Sequence, residues 1–346
     1  PVSIADGKTL SGAITVSGGS IKLGEAGTLA STVSMSGGTL DADETLTVSG
    51  ALTQTGAITI DVAEDKTLTY SGAALSLGAY TLTMSGGGAF SNSNDLVLNN
   101  TSSKLLLNSI TVGKVSTSAD SLGLDVDADS TVSSLSIDDT TPVSIASGKT
   151  LSGAITVTAG SIKLGETGTL ASTVSMSGGT LDADESMTLS GALTQTGNIT
   201  IDVATGKTLT YSGGDLDVGA NTLSIEGAGT LSNSSDSALV LDVANSILDL
   251  TSSGTVSGPV KLESGTLKSS GSPTISGAIT QSGDATIEVS TGKTLTYSGA
   301  TVNVGASELS INGGGTFTND NPIQLSNSGS QIISVSYTHL TLPTIL

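Results

Sequence analysis

A chain of 346 residues with 2% aromatic content, no Trp and two Phe lacks the bulky anchors of an ordinary globular core, so its apolar content has to be buried in thin layers of Ile, Leu, Val and Ala. Eleven basic residues, all of them Lys, stand against 31 acidic ones. The resulting net charge of −20 points away from nucleic acid and anionic membrane surfaces, and the absence of Arg weakens any anionic substrate. With no Cys there is neither a disulfide nor a thiolate metal site, and no apolar run is long enough to span a bilayer or to read as a signal peptide.

The chain opens at Pro1, without Met and in the middle of a pattern, which reads as a fragment or processed product continuing at both ends. Apolar anchors then fall at Ile4, Leu10, Ile14, Val16, Ile21, Val33, Leu40, Leu46, Leu52 and Ile58. They alternate with Thr, Ser or Lys, the period-2 signature of half-buried strands. Corners such as Ser17-Gly18-Gly19, Gly24-Glu25-Ala26-Gly27 and Ser36-Gly37-Gly38 break each strand after a few residues. Strands arrive about every six or seven residues, so three of them make a coil of about 20.

Residues 142–201 repeat residues 1–60 at 52 of 60 positions without a gap, an offset of 141. The segment DKTLTYSG at Asp65–Gly72 returns, with Gly for the Asp, at Gly206–Gly213 and Gly292–Gly299, and the second step, from Lys207 to Lys293, is an offset of 86. Unequal offsets suit a stack that gains or loses whole coils: 141 is about seven coils and 86 about four. Substitutions between copies follow the pleat. Leu46→Met and Val48→Leu keep inward aliphatics, whereas Thr45→Ser and Ser17→Thr change outward positions. A string of β-sandwiches would show longer strands and a constant domain length.

The predicted fold is therefore all-β: a right-handed parallel β-helix (β-solenoid) with three short strands per coil of about 20 residues and about 16 or 17 coils in all. It forms a single continuous solenoid over residues 1–334, with internal repeats 1–141, 142–259 and 260–334. Every backbone group in its strands is expected to bond to the coil above or below. Residues 335–346 depart from the pattern, hold the only His, His339, and have no Gly corner. They read as a non-native tail similar to translated sequencing-adapter read-through, the alternative being a short irregular strand, and His339 is not recruited as catalyst or ligand.

Candidate chemistry is sparse. Asp41, Asp43 and Glu44, repeated as Asp182, Asp184 and Glu185, are weak calcium candidates, weighed against solvated acidic corners. The third copy has Lys268-Ser269-Ser270 at the place of Asp41–Asp43, so the cluster is not needed for folding. Asp125, Asp127 and Asp129 share a face if their stretch is a strand, which would suit a metal or a glycoside-cleaving carboxylate pair. Thr45-Leu46-Thr47, Thr67-Leu68-Thr69 and Thr81-Leu82-Thr83 evoke an ice-binding face, but the step from Thr67 to Thr81 is much shorter than that from Thr45 to Thr67, so the two cannot both be one coil. Tyr70, Tyr211 and Tyr297 read as corner fillers with hydroxyls at the surface, or as isolated glycan-stacking platforms. Asn-rich corners follow Gly-Gly-Gly-Ala-Phe and its variants and suit tight turns. No catalytic residue, no cofactor and no enzyme activity is assigned.

Gly227-Ala228-Gly229-Thr230-Leu231-Ser232-Asn233, Gly178-Gly179-Thr180-Leu181 and Ser11-Gly12-Ala13-Ile14-Thr15-Val16 resemble segments of bacterial autotransporter-passenger and β-strand-repeat surface proteins. The resemblance spans residues 1 to about 333. It implies a secreted or cell-surface location and a role as a rigid acidic rod, structural or adhesive. Host-cell or matrix glycans or proteins are the implied partners, with no nucleic acid and no membrane insertion by this segment. The alternatives are a β-helix polysaccharide-active enzyme and a calcium-stabilised surface protein.

Overall fold

The computed structural model describes residues 4–334, so the expectations for the 335–346 tail and His339 lie outside the described residues. The fold is all-β, with no helix among the described residues. Parallel strands stack as a β-solenoid of about 16 turns at roughly 20-residue spacing. The chain divides into two compact units, Pro1–Thr173 and Val174–Leu346.

In the first unit a coil has a leading, a middle and a trailing face. Thr9–Leu10, Ala13–Val16 and Ser20–Leu23 supply them in the first coil. Parallel register then carries each inward residue onto its equivalent one coil later. On the trailing face Ile60, Met84, Leu107, Val126 and Ile145 form one such column, each 0% or 1% exposed. Burying an aliphatic of this kind contributes about 1.5–3 kcal/mol, so a column one side chain wide still makes a core. In the second unit Leu223, Leu248, Leu267, Ile287 and Ile311 do the same. The copy-to-copy substitutions obey the pleat: Leu46, Val48, Met187 and Leu189 are buried, while Ser17, Thr45, Thr158 and Ser186 are exposed.

Counting leading-face strands, Thr67–Tyr70 and Thr208–Tyr211 lie seven coils apart in the chain, and Thr294–Tyr297 four coils further. Coil length is elastic. The register partner of Thr9 is Thr28, that of Ile60 is Met84 and that of Ile225 is Leu250, and the steps lengthen in that order. The corners absorb the difference. Gly38 shows why glycine holds one of them: its φ is +85°, and a Cβ there would run into the backbone of Gly18 and Gly19 one coil earlier. At the corner before each TLTY strand Asp65 (φ +59°) stands where the other copies have Gly206 (φ +73°) and Gly292 (φ +74°). This left-handed turn is tolerated by Asp and easier for Gly.

Three coils depart from the three-strand plan. Thr111–Thr117, Ser130–Ile137 and Thr150–Val157 each run over the leading and middle faces as one strand of seven or eight residues. The bend that elsewhere separates two strands survives here as a register shift between Val132 and Leu135, opposite Gly153 at φ +122°.

Candidate functional site

The acidic corner at Asp41–Glu44 is built where the trailing-face strand Thr39–Ala42 ends. Parallel register sets Lys22 beside Asp41, and the Lys22 ammonium lies 3.4 Å from Asp41 and 2.7 Å from Asp43. Its pKa is raised, chiefly by the hydrogen bond to Asp43 and then by Asp41, against the opposing effect of partial desolvation. Glu44 reaches the other way, to Lys66, at 2.7 Å. A coil-spaced lysine on either side thus offsets two of the three negative charges of the cluster. In the second copy Glu185 pairs with Lys207 at 2.5 Å, and Asp182 and Asp184 also have interaction partners. Among the described residues no three His, Cys, Asp or Glu side chains converge as a metal site. The carboxylates stand out in the sequence, whereas their lysine partners do not, being one coil distant in the chain. The signal was available in Lys22 and Lys66, which stand one coil before Asp41 and one coil after Glu44.

Asp125, Asp127 and Asp129 do not share a strand face. The strand Gly123–Val126 ends before Asp127. Asp125 pairs with Lys104, its neighbour one coil earlier, whereas Asp129 accepts a hydrogen bond from the Thr150 amide at 2.8 Å one coil later. Corner geometry splits the triplet because the alternation that would align it stops at Val126. An open hollow of about 370 Å³ lies beside Asp129, lined by Ser109, Thr111, Ser130, Thr131, Thr150 and Ser152. Asp129 is its one ionisable residue and is already engaged by backbone, so the hollow contains no acid–base pair.

Thr47 and Thr69 are register partners, so the first step between the Thr-x-Thr triplets keeps them on the leading face. The shorter second step moves to the trailing face, where Thr83 stacks on Thr59.

The tyrosines are neither surface platforms nor fillers with hydroxyls in water. Tyr70, Tyr211 and Tyr297 are 1%, 2% and 0% exposed. Each hydroxyl accepts a backbone N–H from the middle face of the preceding coil: Leu52 at 3.1 Å, Leu193 at 3.2 Å and Ile279 at 3.1 Å. Tyr70 and Tyr297 donate onward to the carbonyls of Ala73 (2.7 Å) and Ala300 (2.6 Å). Burial raises all three phenol pKa values, and the backbone N–H partly offsets the rise. Tyr70 also stacks on Phe90, centroids 5.9 Å apart.

The Asn corners do more than turn. Asn92 is 6% exposed, and its Nδ2 donates to Asn94 O (2.7 Å) and, one coil later, to Lys114 O (2.7 Å). Its Oδ1 accepts from Lys114 N at 3.0 Å. Asn233 repeats the two Nδ2 bonds, onto Ser237 and Pro259.

Comparison with protein-family models, curated proteins and solved structures returned no match.

Proposed function

We propose that the chain is a structural repeat region of a bacterial surface protein, presented outside the cell as an acidic scaffold. The observation that carries this reading is where the outward charge goes. Lys22, Lys66, Lys104, Lys207, Lys261 and Lys268 each meet a carboxylate of another coil. These lysines and their carboxylate partners join layers, while aliphatic columns fill the interior. The separate engagements of Asp125 and Asp129 favour a scaffold over a polysaccharide-cleaving enzyme. The resemblance of the Gly-Thr-Leu and Ser-Gly-Ala runs to autotransporter passengers supports export, and an adhesive role toward glycans or proteins of a host cell or matrix is the variant that adds a partner.

Antibodies raised against the purified chain and applied to intact cells of the source bacterium test this directly. Labelling of intact cells is the expected result. Labelling only after lysis contradicts surface display, and release of reducing sugar by the purified chain from a polysaccharide panel contradicts the scaffold reading.

A further inference from the structure

The backbone ladder of the middle face is interrupted at three places, and each interruption follows the same residues. In the first unit the sheet Ala13–Val16, Thr32–Met35, Leu52–Gln54 stops at Leu52–Gln54, and the next middle-face strand, Leu75–Ser76, belongs to a different sheet. In the second unit Leu193–Gln195 and Leu216–Asp217 lie in different sheets, as do Ile279–Gln281 and Val302–Val304. These are the coil steps at which Tyr70, Tyr211 and Tyr297 take the Leu52, Leu193 and Ile279 amides.

Two side chains replace the missing ladder at each step. The tyrosine hydroxyl sits where a carbonyl of the next coil would receive the N–H. The glutamine closing the same strand reaches forward instead of its backbone: Gln54 Nε2 to Thr81 O, Gln195 Nε2 to Thr222 O and Gln281 Nε2 to Glu308 O, each 2.8 Å. The Oε1 atoms of all three glutamines are buried without a partner, a cost no regular ladder carries. The ring needs room as well. A Cβ on Gly72, Gly213 or Gly299 would lie 2.7–2.8 Å from the ring of the tyrosine two residues earlier. At the third step a hollow of about 270 Å³ opens between the two strands, lined by Ile279, Gln281, Ala300, Thr301 and Asn303 among others.

We propose that these three steps are latched openings. The solenoid wall parts there first, on the middle face alone, with the tyrosine hydroxyl as the latch and the leading and trailing ladders as the hinge. Those ladders continue across the same steps, through Leu46–Leu68 and Ile60–Met84 in the first copy and Ile275–Tyr297 and Ile287–Ile311 in the third. The inference goes beyond the scaffold reading and holds whatever that scaffold displays.

Hydrogen exchange of the full chain, corrected for intrinsic rates, tests it. The Leu52, Leu193 and Ile279 amides, which the tyrosines hold, are expected to exchange at least about fivefold faster than the Val33 and Leu239 amides, which donate to Ala51 O and Pro259 O in the intact middle-face ladder. Tyr297→Phe should speed exchange of the Ile279 amide by a further roughly five- to thirtyfold and leave Leu239–Leu241 unchanged. Equal protection of latch and ladder segments in the unaltered chain overturns the proposal, whether or not the variant folds. So does a uniform acceleration over every strand in Tyr297→Phe, which marks a merely global loss of stability.

Discussion

Lys22 and Asp41 face each other across one coil step of the trailing face in the first unit, and Asp249 and Lys268 do so in the second with the charges exchanged. Both pairs close, at 3.4 Å and 3.2 Å. The first has an open setting: Lys22 also holds Asp43, and its side chain is 46% exposed. The second is tighter, with the Asp249 side chain 14% exposed and its Oδ1 buried without a partner. Although the same face also aligns like charges, Asp41 with Asp61 and Asp202 with Glu226, at these two steps the fold accepts the acid in either coil. That explains how the Asp41–Glu44 corner can become Lys268-Ser269-Ser270-Gly271 while the inward residues of the neighbouring TLTY strand stay unchanged. Gly271 stands at the place of Glu44, so the acid that Lys66 meets in the first copy is missing for Lys293 in the third.

If inward columns carry stability and outward pairs only trim it, the effects of substitution must fall in that order. Leu68→Ala and Leu295→Ala remove fully buried side chains from copies with different surfaces. Each should cost about 2–5 kcal/mol in urea unfolding, and by similar amounts, since neither loss depends on the acidic corner. A large inequality would break the comparison. Gly72→Ala comes next, at about 1–3 kcal/mol, because its Cβ meets Gly50 O at 2.5 Å and the Tyr70 ring. Gly305→Ala, with nothing within 4 Å, is the control and should be near neutral.

Charge substitutions sharpen the contrast further. Lys268→Gln strands the largely buried Asp249 carboxylate and should cost about 1 kcal/mol. Lys22→Gln leaves its carboxylates better hydrated and should cost less in the same melt. The smallest effect concerns Asp215, whose pKa is lowered by the hydrogen bond from Lys261 and then by the Ala238 amide. A depressed folded-state pKa adds stability above the unfolded value and loses it as pH falls through the folded value. Asp215→Asn should therefore lower stability slightly at neutral pH, where the charged carboxylate contributes, and converge with the unaltered chain as pH falls below about 4, which makes the acid limb shallower.

The period-2 anchors and Gly corners made the fold class, the inward residues and the coil count readable, because a parallel stack repeats one local rule. What escaped depended on the neighbouring coil. Coil length varies between the short step from Thr9 to Thr28 and the long one from Ile225 to Leu250, so the partner of a given side chain cannot be found by counting a fixed step. That hid Lys22 from Asp43 and the Leu52 amide from the Tyr70 hydroxyl. The merged strand Ser130–Ile137 was hidden for another reason: its bend is a register shift, and no Gly lies within it to mark a corner. Asp125, Asp127 and Asp129 share a face only if the strand continues past Val126, and it ends there at a corner that the composition does not mark.

Lysines one coil away meet the carboxylates of the acidic corner, and if they suffice to hold it no bound cation is required there. Thermal melting followed by circular dichroism, in chelator, in millimolar calcium and in millimolar magnesium, tests it most directly. The expected result is the same midpoint in calcium as in magnesium, with at most a small rise over chelator from general screening. A midpoint raised by calcium and not by magnesium, and lost on Asp43→Asn, would contradict it and make the corner a calcium site.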